Sequence, residues 1–164
     1  VGGHCIPVYP RLYLSTDPDA TVVRTARTYN AGMPEYVVSR VEDVLGDLKD
    51  VKVAVLGASY RGAVKETAFS GVFATVDSLR KRGAKVLVHD PMFSDEELAG
   101  FGWEPYHFGE EITAAIVQAD HAEYQSISAK NLPGIKLLFD GRRITNPQLW
   151  KGTPRMVIGN RASQ

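Results

Sequence analysis

From residue 51 onward, short apolar runs alternate with amphipathic stretches, and this alternation is what most constrains the fold. Lys52-Val53-Ala54-Val55-Leu56-Gly57 is a short run, apolar on successive residues after its lysine, that ends on glycine. Apolar side chains on both faces mark a strand buried from both sides, as in a parallel sheet. Residues 69–82 follow, with Val72, Phe73, Val76 and Leu79 on one side and Arg80-Lys81-Arg82 before Gly83. Apolar recurrence at three and four predicts a helix, and late cations followed by glycine predict its end. Lys85-Val86-Leu87-Val88-His89-Asp90-Pro91 predicts the next strand. Residues 113–117, 136–139 and 156–158 predict further strands, and 95–98, 123–128 and 147–149 further helical pieces. Strands and helices in alternation imply crossover units, hence an α/β fold with a doubly wound parallel sheet.

A long helix is predicted before this region, over residues 19–48. Val22, Val23, Ala26 and Tyr29, then Val37, Val38, Val41, Val44 and Leu45, form an amphipathic stripe. Asp17 or Asp19 is the expected cap. Gly32-Met33-Pro34 predicts a kink or break, and Gly46-Asp47 a stop. Such a stripe must be buried, either on its own domain or against a second copy; the pattern alone leaves both open.

The length fits one domain with a helical extension. Lys and Arg number 19 and Asp and Glu 19. That balance gives no overall basic field to favour nucleic acid or an anionic membrane. No apolar run reaches the roughly 20 residues that span a bilayer. One cysteine, with no partner for a disulfide, points to a reducing, cytoplasmic setting. His4, His89, His107 and His121 are scattered and show no zinc-ligand spacing, so no metal is expected.

Three motifs carry chemistry. The first is Val1-Gly2-Gly3-His4-Cys5-Ile6-Pro7, which holds the single cysteine. Glycines let backbone approach a ligand closely, and an unpaired thiol serves either packing or reactivity. His4 beside it has an orienting or packing role in preference to an activating one. The second is Gly57-Ala58-Ser59-Tyr60-Arg61-Gly62, after the first predicted strand. It is not the dinucleotide fingerprint, since Ser59 stands at the middle glycine and the next strand-end acid, Asp90, lies too far on. It is not a P-loop, because Lys65 is followed by Glu66. What remains is a strand-end corner with cations at Arg61 and Lys65. Such a corner suits an anionic ligand such as a nucleotide diphosphate, or is a solvated basic loop. The third is Asp140-Gly141-Arg142-Arg143, after Leu137-Leu138-Phe139. Adjacent arginines there suit phosphate or carboxylate binding, or form a solvated turn.

These motifs stand in the same order in the UDP-glucose/GDP-mannose dehydrogenase family, which the chain resembles from its first residue onward. The first motif resembles that family's GGHCIPxDP segment, nearest to the branch that oxidises UDP-N-acetylmannosamine. Tyr60-Arg61 resembles its aromatic-lysine pair, Lys65-Glu66-Thr67-Ala68 stands at its RESP run, and 140–143 resembles its DGRR run. The resemblance implies a Rossmann-like UDP-binding domain over 51–164, a central dimerisation helix over 19–50 and a catalytic-cysteine loop over 1–18. It implies that Cys5 is the nucleophile. Gly2, Gly3, Tyr60, Arg61 and one or both of Arg142 and Arg143 would then bind the UDP-sugar, and Lys65 would reach the cofactor. It further implies NAD, held mainly by an amino-terminal domain of the same parent protein, two oxidations through a thiohemiacetal and a thioester, and a homodimer.

Two departures matter. Tyr9 stands where the family has an aspartate that assists hydrolysis or proton transfer. A phenol with a pKa of about 10 is no carboxylate at neutral pH. Lys65 keeps the charge of the family arginine but not its bidentate fork. Two readings result: the carboxy-terminal part of an NAD-dependent UDP-sugar dehydrogenase, inactive alone, or a non-catalytic nucleotide-binding or assembly module of that descent. Residues 1 to about 18 are expected to be poorly fixed without the first domain.

Overall fold

The computed structural model describes residues 1–159. Two helices lead, α1 (Cys5–Thr16) and α2 (Thr21–Leu45). The sheet region then runs β1 (Lys52–Leu56), α3 (Val72–Lys81), β2 (Lys85–His89), α4 (Asp95–Gly100), β3 (Glu104–Pro105), β4 (Ala114–Val117), β5 (Leu137–Asp140) and β6 (Arg155–Val157). Short 3₁₀ turns at Ala122–Ser126, Ala129–Asn131 and Pro147–Trp150 connect the later strands. Every pairing is parallel, and the strand order is β3-β2-β1-β4-β5-β6. The fold is the expected Rossmann-like α/β sheet preceded by a long helix. The chain runs outward from β1 to β3, returns, and runs outward again from β4. β1 and β4 therefore flank the point where loops part and a crevice opens at the carboxyl edge.

Alternate strand residues feed two cores. Val53, Val55, Val88, Ile116 and Phe139 pack under Val37, Val38 and Val41 of α2 and Val72, Val76 and Leu79 of α3. Leu56, Val117 and Leu138 face the other layer, which holds Tyr106, Tyr124, Leu132 and Trp150. Burial on both faces is why these strands read as unbroken apolar runs.

Four local expectations are corrected. Residues 1–18 are not a loop, because Cys5–Thr16 is helical. Pro7 falls in the first turn, where a missing N–H costs nothing. The segment before it is also fixed, as Gly3 N–H donates to the Ala68 carbonyl at 2.9 Å. α2 continues through Gly32-Met33-Pro34 without a break. Packing of Val37, Val38 and Val41 on the sheet holds the helix beyond the proline. Neither Asp17 nor Asp19 caps α2, whose cap is Ala20 with no side-chain bond. Asp17 instead closes α1, its amide donating to Tyr13. Gly46 ends α2 as expected.

The α2 stripe divides. Val37, Val38 and Val41 of its later half lie in the core, while Val44 is 41% exposed and Val22 and Tyr29 in its first half are 83% and 74% exposed. Residues 160–164 of the expected 51–164 domain lie outside the described residues. Among the described residues, no helix is long and apolar enough to cross a membrane.

Candidate functional site

A cleft of about 500 Å³ opens between α2 and the carboxyl ends of the central strands. The loop after β1 brings Tyr60, the end of β4 brings Gln118, and the turn after β5 brings Arg142. α2 supplies Arg27, Asn30 and an apolar strip of Met33, Pro34 and Val37. Gly2 closes one end. Among the described residues no aspartate or glutamate lines the space, and its charged side chains, Arg27 and Arg142, are cationic.

Gly2 is packed so tightly that a Cβ there would lie 2.7 Å from both the Phe69 carbonyl oxygen and the Tyr60 Cβ. Asn30 Nδ2 donates to the Val1 carbonyl at 3.3 Å, and His4 Nε2 lies 3.3 Å from Glu66 Oε2. The Cys5 segment is thus tied to α2 and to the loop after β1. Cys5 itself is exposed at the first turn of α1.

That loop is held by buried polar groups from neighbouring strand ends. Asp90, just past β2, accepts from the Ala58 and Ser59 amides at 2.8 and 2.9 Å. The same oxygen lies 3.0 Å from His121 Nε2. The Ala63 amide donates to His121 Nδ1 at 3.3 Å, so Nδ1 is unprotonated and Nε2 carries the proton given to Asp90. Burial alone pushes the Asp90 carboxyl up, but bonds from His121 and the Ser59 and Met92 amides outweigh it and hold the carboxyl below its usual range.

Asp120 joins two of the motifs. Its Oδ1 accepts from the Gly62 amide at 2.9 Å and from Arg142 Nη2 at 2.8 Å. A Cβ at Gly62 would come within 2.2 Å of the Asp120 carbonyl oxygen, which is why this corner carries a glycine there. Gly57 is likewise closed over by Ala119. The corner therefore packs against the end of β4 and offers no open cradle to a pyrophosphate.

Asp140 organises the third motif. Its Oδ1 accepts from the Arg142 amide, and its Oδ2 from Thr145 and from Arg155 Nη2 at 2.8 Å. This bonding sets the turn that sends Arg142 into the cleft. Arg143 adopts a φ of 55° and donates to the Ile158 carbonyl at 3.3 Å.

Of the residues singled out in the sequence, Gly2, Tyr60 and Arg142 meet in the cleft. Gly3, Cys5, Arg61, Lys65 and Arg143 do not line it. Arg61 lies against Tyr60, its guanidinium 5.9 Å from the ring centre. Lys65 Nζ is 2.5 Å from Glu97 Oε1 and 5.3 Å from the Phe93 ring centre. Asp90, Asp120, His121 and Asn30 were not anticipated. The first three sit at or just beyond strand ends, the same signal that pointed to Tyr60 and Arg142.

Residues 54–147 match the family model described as "UDP-glucose/GDP-mannose dehydrogenase family, UDP binding domain". The chain belongs to the UDP-glucose/GDP-mannose dehydrogenase family. The match takes in Tyr60, Gln118 and Arg142 of the cleft, together with Asp90, Asp120 and His121 behind it, while the α2 wall and Gly2 lie before the matched residues. The UDP-N-acetyl-D-mannosamine dehydrogenase of Methanococcus vannielii is 31% identical over 99% of this chain. That of Methanocaldococcus jannaschii is 30% identical over 98%. The structure of the Pyrococcus horikoshii UDP-D-ManNAc dehydrogenase superposes with a TM-score of 0.76 at 27% identity over 97% of this chain. The chain spans 40%, 39% and 38% of the length of these three relatives.

Proposed function

We propose that the chain is the nucleotide-sugar-binding part of an NAD-dependent dehydrogenase. The whole protein would oxidise the C6 alcohol of a UDP-sugar, UDP-N-acetylmannosamine by its relatives, to the uronic acid. The observation that carries this reading is the cleft at the sheet's switch point, cationic, free of carboxylates and lined by Gly2, Tyr60 and Arg142. A nucleotide diphosphate answers each feature. Its phosphates pair with Arg142, with Arg61 and Arg143 at the rim, and its flat base lies on the apolar strip of α2. Gly2 and Gly3, closely packed on Phe69 and Tyr60, seat the Cys5 segment at the end of the cleft, where the sugar would approach it.

Cys5 is the proposed nucleophile. Its sulfur bonds to the aldehyde carbon of the half-oxidised sugar, the carbonyl electron pair moves to oxygen, and that oxygen takes a proton. NAD is the hydride acceptor implied by family membership. The residues of this chain do not fit it as its main site, since the corner at 57–62 is closed by Ala119 and Asp120. The cofactor belongs to an amino-terminal domain of the same protein facing Cys5. Lys65, its side chain 45% exposed, is the candidate for reaching it, in competition with Glu97.

Cys5→Ser in the full-length protein tests the assignment. Production of the uronic acid is expected to stop, and wild-type turnover would overturn it. Tyr9 favours a second reading, a non-catalytic nucleotide-binding module. Alkylation separates the two: a catalytic Cys5 reacts readily and is protected by UDP-sugar, whereas a relic shows no protection.

A further inference from the structure

Arg27 is the one cleft cation that the family resemblance did not point to. It stands on α2, on the wall opposite Arg142, and both line the same space. Its Nε is buried and has no hydrogen-bond partner among the described residues. Arg142, by contrast, is bound by Asp120. Dehydrating a guanidinium N–H without a partner is costly, so such a donor persists where something anionic meets it. Among the described residues no carboxylate lines the cleft to do so.

We infer that Arg27 binds an anionic oxygen of the nucleotide sugar across the cleft from Arg142. The oxygen belongs either to a phosphoryl group or to the carboxylate of the uronic acid product. A guanidinium fork serves both, since each offers paired oxygens. The inference rests on the cleft being the nucleotide-sugar site. Asn30, one helical turn away on the same wall, holds the Val1 carbonyl. α2 would then fix the cysteine segment with one residue and the ligand's charge with another.

Calorimetric titration of UDP, uridine and a UDP-uronic acid into wild type, Arg27→Gln and Arg142→Ala tests this. The Arg27 side chain donates no hydrogen bond within the described residues, so Arg27→Gln should leave Tm unchanged. Loss of a charge-assisted contact is expected to weaken binding about 10- to 100-fold. Weakening towards UDP, with uridine unaffected, places the phosphoryl group on Arg27. Weakening towards the UDP-uronic acid alone places the carboxylate there. If Arg142→Ala weakens UDP and Arg27→Gln changes neither ligand, the inference falls while the site assignment stands. If wild type binds no UDP, both fall. Should Arg27→Gln fail to fold, Arg27→Lys reads the same contact, with a smaller loss expected and an unchanged affinity contradicting it.

Discussion

Asp120 holds Arg142 at 2.8 Å through the same carboxylate oxygen that receives the Gly62 amide at 2.9 Å. One side chain thereby sets the spacing between the loop after β1 and the turn after β5, which bring Tyr60 and Arg142 to the cleft. Burial alone pushes the Asp120 carboxyl up, and the Gly62 amide and Arg142 outweigh it and keep the carboxyl below its usual range.

Asp120→Ala is expected to cost little stability, within about 1 kcal/mol, because the ion pair is partly exposed. UDP affinity should fall about 2- to 12-fold, the worth of one positioning hydrogen bond. Calorimetry beside thermal melting checks both. Tighter UDP binding in the variant would show that Asp120 repels the ligand and does not place Arg142.

His89 supplies a pH dependence. Burial lowers its pKa from 6.5 to about 4, with Asp90 opposing the shift and His121 and His107 adding to it. The folded pKa lies below the unfolded one, so the unfolded chain binds the extra proton in between. The stability from keeping His89 neutral is complete above pH 6.5 and declines as pH falls towards 4. Tyr124 Oη lies 2.9 Å from its Nδ1, so the ring is held in place as well as buried. Thermal melts of His89→Gln between pH 6.5 and 4 should show a shallower loss of Tm than wild type; an equal slope would contradict the assignment.

The exposed half of α2 predicts a homodimer. Val22, Tyr29 and Tyr36 recur at seven-residue spacing and are 83%, 74% and 44% exposed. Apolar groups in that register line one face of a helix and are commonly covered by a self-complementary partner. Light scattering should give twice the monomer mass, and Tyr29→Lys should halve it. A wild type that stays monomeric at high concentration would count against this interface.

The sheet was legible because the middles of β1, β2, β4 and β5 are buried on both faces and read as apolar runs, with charged or polar residues only at strand ends. β3 was not legible, since Glu104-Pro105 is only two residues and one of them lacks an amide donor. α1 was hidden by Pro7 and Pro10, which argue against a helix unless their places in its turns are known. The unbroken course of α2 past Pro34 depends on tertiary contacts of Val37, Val38 and Val41, which local propensity does not contain. In the site, Arg142 could be found because it stands two residues past a strand, and Tyr60 through its resemblance to the family's aromatic-lysine pair. The roles of Asp90 and His121 could not, because their meeting requires β2 and β4 to be aligned on either side of β1. Lys65 looked free in the sequence, yet Glu97, brought near by the fold, engages it.

The central claim is that the cleft between α2 and the strand ends is the UDP site. Amide NMR of the ¹⁵N-labelled chain, recorded while UDP is added, tests it most directly. The account predicts saturable shifts confined to Gly2, Tyr60, Gly62, Gln118, Gly141 and Arg142, with the amides of the Pro147–Trp150 turn unmoved. Shifts centred elsewhere, or none at saturating UDP, would contradict it.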